Sequence, residues 1–269
     1  MNTEQYADMP LIFDTHAHYD DDRFDADRDE LLSSLPERGV GLVVIPGCDL
    51  DSSRAAVALA EKYPHVYAAV GWHPENCGSC RLPEDVDALR ELAKHPKVVA
   101  IGEIGLDYHW AQNPPREHQL SVFRAQLVLA MELNLPVIVH DRDAHGDCLT
   151  IVRALPEIRG VFHCFSGSFE MGRELWRRGW YLGFGGPLTY KNARKTVEVA
   201  AVAPITLLLL ETDAPYLAPV PLRGTRNDSR NLRYVVAKLA ELRGTTPERI
   251  IELTAENGKR LFRIDTGIH

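Results

Sequence analysis

Long apolar runs, paired cysteines and an excess of positive charge are all missing from this chain, and each shortage removes a class of protein. No stretch approaches the roughly 18 consecutive apolar residues of a membrane-crossing helix, and the first ten residues are polar and acidic. A cytoplasmic protein with no membrane partner is therefore expected. The five cysteines, Cys48, Cys77, Cys80, Cys148 and Cys164, are odd in number and scattered, which argues against a disulfide framework. Cys77-Gly78-Ser79-Cys80 has zinc or redox spacing, but no second pair follows and the stretch reads as a loop. Lys and Arg number 30 against 38 Asp and Glu, a net charge of −8. A polyanionic substrate would have to be held by local cations or metal, not by a broad basic face. Dinucleotide-binding glycine spacing is absent from both Gly102-Glu103-Ile104-Gly105 and Gly183-Phe184-Gly185-Gly186.

What remains is an ordinary globular composition, 45% apolar and 25% charged over 269 residues, enough to bury a full core. That length suits one α/β barrel, so residues 1–269 are expected to form a single domain. Short apolar or β-branched runs recur at Leu11 to Thr15, Leu42 to Pro46, Val66 to Val70, Val98 to Ile101, Val137 to Val139, Val161 to His163, Tyr181 to Phe184 and Ile205 to Leu210. Each is followed by a stretch of helical periodicity.

Asp51-Ser52-Ser53 offers an N-cap ahead of Ala55 to Tyr63, and Pro83 and Pro115 suit the first turns of helices over Val86 to His95 and Glu117 to Leu133. Leu120, Phe123, Leu127 and Met131 form a core-facing stripe. Gly39, Gly160 and Gly179 end helical stretches. Eight parallel strands without polar alternation are buried on both faces, and the spacing predicts a (β/α)8 TIM barrel. Helical segments over Asn231 to Leu242, Pro247 to Thr254 and Gly258 to Phe262 would close it.

In such a barrel the catalytic groups sit at the C-terminal ends of the strands. The first strand ends at His16 and His18, which alternation places on one face about 7 Å apart. The third leads to His73, the fourth to Glu103, the fifth to His140, the sixth to His163 and the eighth to Asp213. Singly, each has a plain structural explanation, a hydrogen-bonded core histidine or a capping carboxylate. Converging in one mouth, they would be costly to bury without a cation, which implies bound metal. His16, His18, His140 and His163 with the two carboxylates already exceed the needs of one catalytic zinc. Two divalent ions, with Glu103 as the bridging carboxylate, would use them all and generate a hydroxide nucleophile, whose proton Asp213 is placed to accept. Asp14, on the same strand face, becomes a candidate partner for an imidazole N–H.

These residues lie in stretches that resemble the TatD-type metal-dependent deoxyribonucleases of the amidohydrolase-like barrels. The matching stretches are Asp14-Thr15-His16-Ala17-His18, Gly71-Trp72-His73-Pro74, Ile101-Gly102-Glu103-Ile104-Gly105-Leu106-Asp107-Tyr108, Pro136-Val137-Ile138-Val139-His140, Phe162-His163-Cys164-Phe165-Ser166-Gly167, Glu211-Thr212-Asp213-Ala214-Pro215-Tyr216-Leu217 and Asn257-Gly258-Lys259-Arg260-Leu261-Phe262. The resemblance implies that His16, His18, Glu103 and Asp213 hold one metal and Glu103, His140 and His163 the other. It places His73 near the scissile phosphate without making it an obligate ligand. It further implies hydrolysis of DNA phosphodiesters from the 3′ end, with two divalent metal ions, Mg2+, Mn2+ or Zn2+, and no obligate protein partner. An imidazole-rich set suits zinc, manganese, iron or cobalt better than magnesium. The same cage would also serve a hydrolase of phosphomonoesters, lactones, amides or aminoacyl esters, or a non-catalytic metal-holding scaffold.

One departure stands out: the family pattern has a proline after the acidic residue that follows Arg226-Asn227, and here Asp228 is followed by Ser229, which frees the loop backbone over the mouth. Trp110, in Tyr108-His109-Trp110, is expected to be buried packing, with base stacking as the other reading. Arg142 would face a phosphate or pair with Asp141 or Asp143. The Gly183 to Gly186 run would be either a phosphate-binding turn or simply a tight one. Arg223, Arg226 and Arg230 are the one notable basic cluster, an anion handle or solvated loop charges.

Overall fold

The computed structural model describes residues 9–265. Eight parallel strands pair in sequence order: β1 (Ile12–Asp14), β2 (Val40–Pro46), β3 (Val66–Val70), β4 (Val98–Asp107), β5 (Val137–Arg142), β6 (Gly160–Phe162), β7 (Tyr181–Phe184) and β8 (Leu208–Leu210). The ring closes where the Thr15 N–H donates to the Leu210 carbonyl at 3.0 Å and Ala17 bridges Ala214. Helices α1 (Arg28–Ser34), α2 (Leu50–Lys62), α3 (Glu84–Leu92), α4 (Arg116–Leu133), α5 (His145–Ala154), α6 (Phe169–Arg177) and α7 (Arg194–Val202) link successive strands, and α8 (Leu232–Arg243) and α9 (Pro247–Phe262) follow the last. The architecture is the expected (β/α)8 barrel with additional C-terminal helices.

A strand covered on both sides has no use for polar alternation, and every residue of β4 is buried. Phe13, Val44, Ala69, Val99, Ile138, Val161 and Leu209 fill the barrel interior, joined at the bottom by Leu261 and Phe262 of α9. A Cβ on Gly258 would come within 2.6 Å of the Phe13 ring, so only glycine lets α9 pass this close beneath β1. With apolar side chains plugging the N-terminal end, the polar residues collect at the other.

Several boundaries differ from the expectation. β4 runs on to Asp107, so Glu103 lies within the strand, and Ile205–Leu207 is a 3-10 turn ahead of a shorter β8. Helix α2 starts earlier because Asp49 is its cap, accepting from the Ser52 N–H in a reciprocal capping box. Pro83 and Pro115 precede their helices as N-cap residues, not first-turn ones. Gly39 and Gly179 have φ of 86° and 81° as helix-ending glycines should, whereas Gly160 is the first residue of β6. The two short segments expected after residue 247 are one continuous helix, because Gly258 is held inside it by packing. Met131 is 38% exposed and drops out of the core stripe of α4. Cys77 and Cys80 are buried free thiols flanking a single 3-10 turn. No described helix is long and apolar enough to cross a membrane.

Candidate metal centre

Strand register aims the central carboxylate. The β4–β5 pairing slips between Ile101 and Ile104, and such an irregularity re-aims the side chain at the break, here Glu103, into the mouth. Gly105, with φ of 145°, then crosses so near β5 that a Cβ would sit 2.0 Å from the His140 carbonyl. Asp213 is three residues beyond β8, in left-handed backbone at φ 57°, and its N–H donates to the His16 carbonyl at 2.9 Å.

Two groups of ligand atoms share Glu103. On one side Nε2 of His16 lies 3.1 Å from Nε2 of His18, 3.2 Å from Glu103 Oε2 and 3.6 Å from Asp213 Oδ1. Nε2 of His18 is 3.5 Å from both carboxylate oxygens. On the other side Glu103 Oε1 lies 2.7 Å from His163 Nε2, 2.8 Å from His140 Nδ1 and 3.4 Å from His73 Nε2, with His140 Nδ1 and His163 Nε2 3.2 Å apart. Ligands about 2.0–2.2 Å from a tetrahedral ion stand about 3.3–3.6 Å from one another. The first group, at 3.1 to 3.6 Å, comes close to those separations, and its donors are the imidazole and carboxylate types that hold zinc or manganese.

The far sides of the rings distinguish the imidazoles. His140 Nε2 donates to Asp107 Oδ2 at 3.1 Å, so a cation that displaced the proton of Nδ1, 2.8 Å from Glu103, would meet a lone pair there. His18 presents Nδ1 to Cys48 Sγ at 3.9 Å and His163 presents Nδ1 to Glu211 Oε1 at 3.7 Å, so both turn Nε2 inward. His73 is wired the other way. Its Nδ1 accepts the Glu75 backbone N–H at 3.2 Å; a backbone N–H only donates, so the neutral ring carries its proton on Nε2. The nitrogen that His73 offers the mouth is thus a hydrogen-bond donor.

The electrostatics ask for positive charge. Burial pushes the Glu103 carboxyl up, but the imidazoles of His163, His73 and His16 outweigh it and hold the group well below the usual range. Burial likewise raises Asp213, and the hydrogen bond from His18 with the charges of His16 and His163 brings it below its ordinary value. His18 and His163 are buried, which lowers a histidine, yet Cys48 and Asp213 around the first and Glu103 beside the second raise both well above 6.5. Burial keeps His16 and His73 low. Carboxylates held ionised in a buried mouth are those a divalent cation neutralises.

The seven strand-end residues His16, His18, His73, Glu103, His140, His163 and Asp213 therefore meet in one mouth. Asp107, Glu211 and Cys48, which stand behind the imidazoles, had not been assigned roles; the one available signal for Asp107 was its place in the Gly102 to Tyr108 stretch. Asp14 does not reach an imidazole: Oδ1 accepts the Thr212 N–H at 3.0 Å, and Oδ2 accepts the hydroxyls of Thr212 and Ser229 at 2.7 and 2.6 Å. Burial pushes its carboxyl up to about 7. Arg142 pairs with neither neighbouring aspartate but stacks on Trp110, which is 43% exposed and not buried packing. Gly183 and Gly186 pack so closely against Glu211 and Leu217 that any Cβ would collide there. Arg226 pairs with Asp27 and Arg230 with Asp228, while Arg223 lies over the Tyr190 ring.

A closed parallel barrel with an imidazole–carboxylate cluster at its C-terminal mouth is the architecture of a metal-centred barrel protein. The chain belongs to the TatD related DNase family, whose pattern matches residues 13–263. It is 44% identical over 257 residues to YabD of Bacillus subtilis, an uncharacterized metal-dependent hydrolase, with 95% of this chain and 100% of the relative covered. It is 34% identical over 260 residues to the 3′-5′ ssDNA/RNA exonuclease TatD of Salmonella typhimurium, covering 94% and 99%. Among solved structures, the TatD homologue YJJV of Escherichia coli K12 superposes with a TM-score of 0.88 at 34% identity, covering 94% of this chain and 98% of the other.

Proposed function

We propose that this chain is a metal-dependent phosphodiesterase that shortens DNA from the 3′ end and holds two divalent cations, Mg2+, Mn2+ or Zn2+. The observation that carries the reading is the division of Glu103, one carboxylate oxygen facing His16 and His18 and the other facing His140 and His163. His16, His18, Asp213 and Glu103 form the first ligand set; Glu103, His140 and His163 form the second. Cations bound there would acidify water and neutralise a phosphodiester.

The remaining work falls to side chains. The Asp213 side chain is 18% exposed against 3% for Glu103, so it is the carboxylate open to the mouth and able to take the proton of the attacking water on the oxygen that does not face His16 and His18. His73 donates Nε2–H toward a phosphate oxygen, where charge grows as the bond breaks. Family membership and the exonuclease relative support this bond over the other esters that such a cage would hydrolyse.

The test is digestion of single-stranded DNA labelled at either end, with Mg2+, Mn2+ or Zn2+, beside a chelated control and Asp213→Asn. Metal-dependent shortening from the 3′ end, abolished in the variant, is expected. Intact DNA beside hydrolysis of a phosphomonoester or carboxylic ester would overturn the phosphodiester reading.

A further inference from the structure

Four tryptophans occur in the chain. Trp72 and Trp180 are buried, Trp176 is half-buried, and Trp110 stands 43% exposed on the loop after β4, at the metal end of the barrel. Across from it Arg142, the exposed last residue of β5, holds its guanidinium carbon 5.1 Å from the indole centroid. Arg142 lies two residues beyond His140, in register with Asp107 of β4, at the C-terminal end of β5 between β4 and β6.

The nearby carboxylates are engaged elsewhere. Asp141 holds His145 at 2.8 Å, Asp143 holds His109 at 2.8 Å, and Asp147 holds Arg116 and Tyr108. Among the described residues no carboxylate pairs with Arg142. On a chain of net charge −8, that leaves a guanidinium without an ion-pair partner among the described residues at the metal-facing rim.

The loop is fastened to the metal centre. Asp107 Oδ1 accepts the His109 N–H at 2.8 Å and the Asn113 amide at 3.0 Å, while Oδ2 takes His140 Nε2–H. One carboxylate thus positions both a ring that faces the metal centre and the segment that presents Trp110. His109 meets the indole edge-on at 4.6 Å between centroids, bracing it upright.

We propose that Trp110 and Arg142 form a nucleotide subsite on the rim, the indole stacking an unpaired base and the guanidinium taking the adjoining phosphate. The inference rests on the nucleic-acid reading above and adds where the strand is gripped. An exposed indole stacks any base, but only one whose face is free, so the subsite selects single strands or frayed ends. The planar guanidinium matches a phosphate in two hydrogen bonds.

The experiment crosses enzyme and substrate changes. Wild type and Trp110→Ala are given single-stranded oligonucleotides whose 3′-terminal nucleotide carries or lacks its base, and KM and kcat are measured. Loss of the ring and loss of the base should each raise KM about tenfold, and both together no more than either alone. Trp110→Tyr should restore most of the affinity. Arg142→Gln should lower the slope of log KM against log salt by about one unit. An unchanged KM in Trp110→Ala, or two losses that multiply, would overturn the subsite and leave the nuclease reading standing. Failure of the wild type to shorten either oligonucleotide with any metal would remove the nuclease reading, and the subsite with it.

Discussion

The Ser229 hydroxyl donates a 2.6 Å hydrogen bond to Oδ2 of Asp14, fastening the loop after β8 to the first strand. Ser229 also gives its N–H to the Tyr19 hydroxyl at 3.0 Å, and that hydroxyl lies 2.7 Å from Ser229 Oγ. Where the family pattern has a proline, a buried chain of hydrogen bonds therefore anchors the loop. Ser229→Ala leaves Asp14 and Tyr19 short of a partner and should cost about 1–3 kcal/mol, lowering Tm by about 5 °C. Ser229→Pro removes the N–H as well and should cost more. Thermal unfolding of the two variants checks both.

Asp107→Ala should weaken metal binding about 10–100-fold, because His140 loses the group that keeps Nδ1 turned inward. Asp107→Asn retains an acceptor and should recover part of the loss. Calorimetric titration of metal-stripped protein with Zn2+ or Mn2+ measures this without any substrate.

His73→Ala should leave the metal content per chain unchanged while lowering kcat about 100–1000-fold, the usual effect of removing one donor from a developing charge. The expectation follows from the Glu75 N–H on His73 Nδ1. Elemental analysis showing metal lost along with activity would instead make His73 a ligand.

Glu174 joins α5 to α6, accepting from Arg153 Nε at 2.6 Å and Arg178 Nε at 3.2 Å. Chiefly through Arg153, its carboxyl is held down to about 2 from 4.5. A folded pKa below the unfolded one adds stability that is full above about 4.5 and fades as pH falls toward about 2. Solvent screening keeps the effect small. Glu174→Gln should lower Tm by about 1–3 °C at pH 7, with the gap to wild type closing below pH 4.5 in a pH series of melts.

The barrel was legible because each half of a βα unit writes a local signature, an apolar run buried on both faces and then a 3.6-residue stripe. The six proposed ligands were legible because a parallel barrel must bring its strand ends to one mouth, so His16, His18, Glu103, His140, His163 and Asp213 needed only their places along the chain to be grouped. Boundaries set by packing were not: α9 runs unbroken through Gly258 because Phe13 lies beneath it, and no local pattern reports a neighbour from the other end of the chain.

Sequence alone thus determined the barrel, the family and the residue types of the candidate metal centre. Tertiary structure decided how each ring is turned and which charges are left unpaired. His73 and His140 look alike as letters, yet a backbone N–H from Glu75 makes the first present a proton to the mouth, while a carboxylate from Asp107 engages Nε2 of the second and leaves Nδ1 available to a cation. Arg142 and Arg226 are equally basic, but Asp27 neutralises only the second, leaving the first stacked on Trp110. An imidazole's tautomer and a guanidinium's partner depend on atoms a few ångströms away in space, and only the folded chain brings those atoms together.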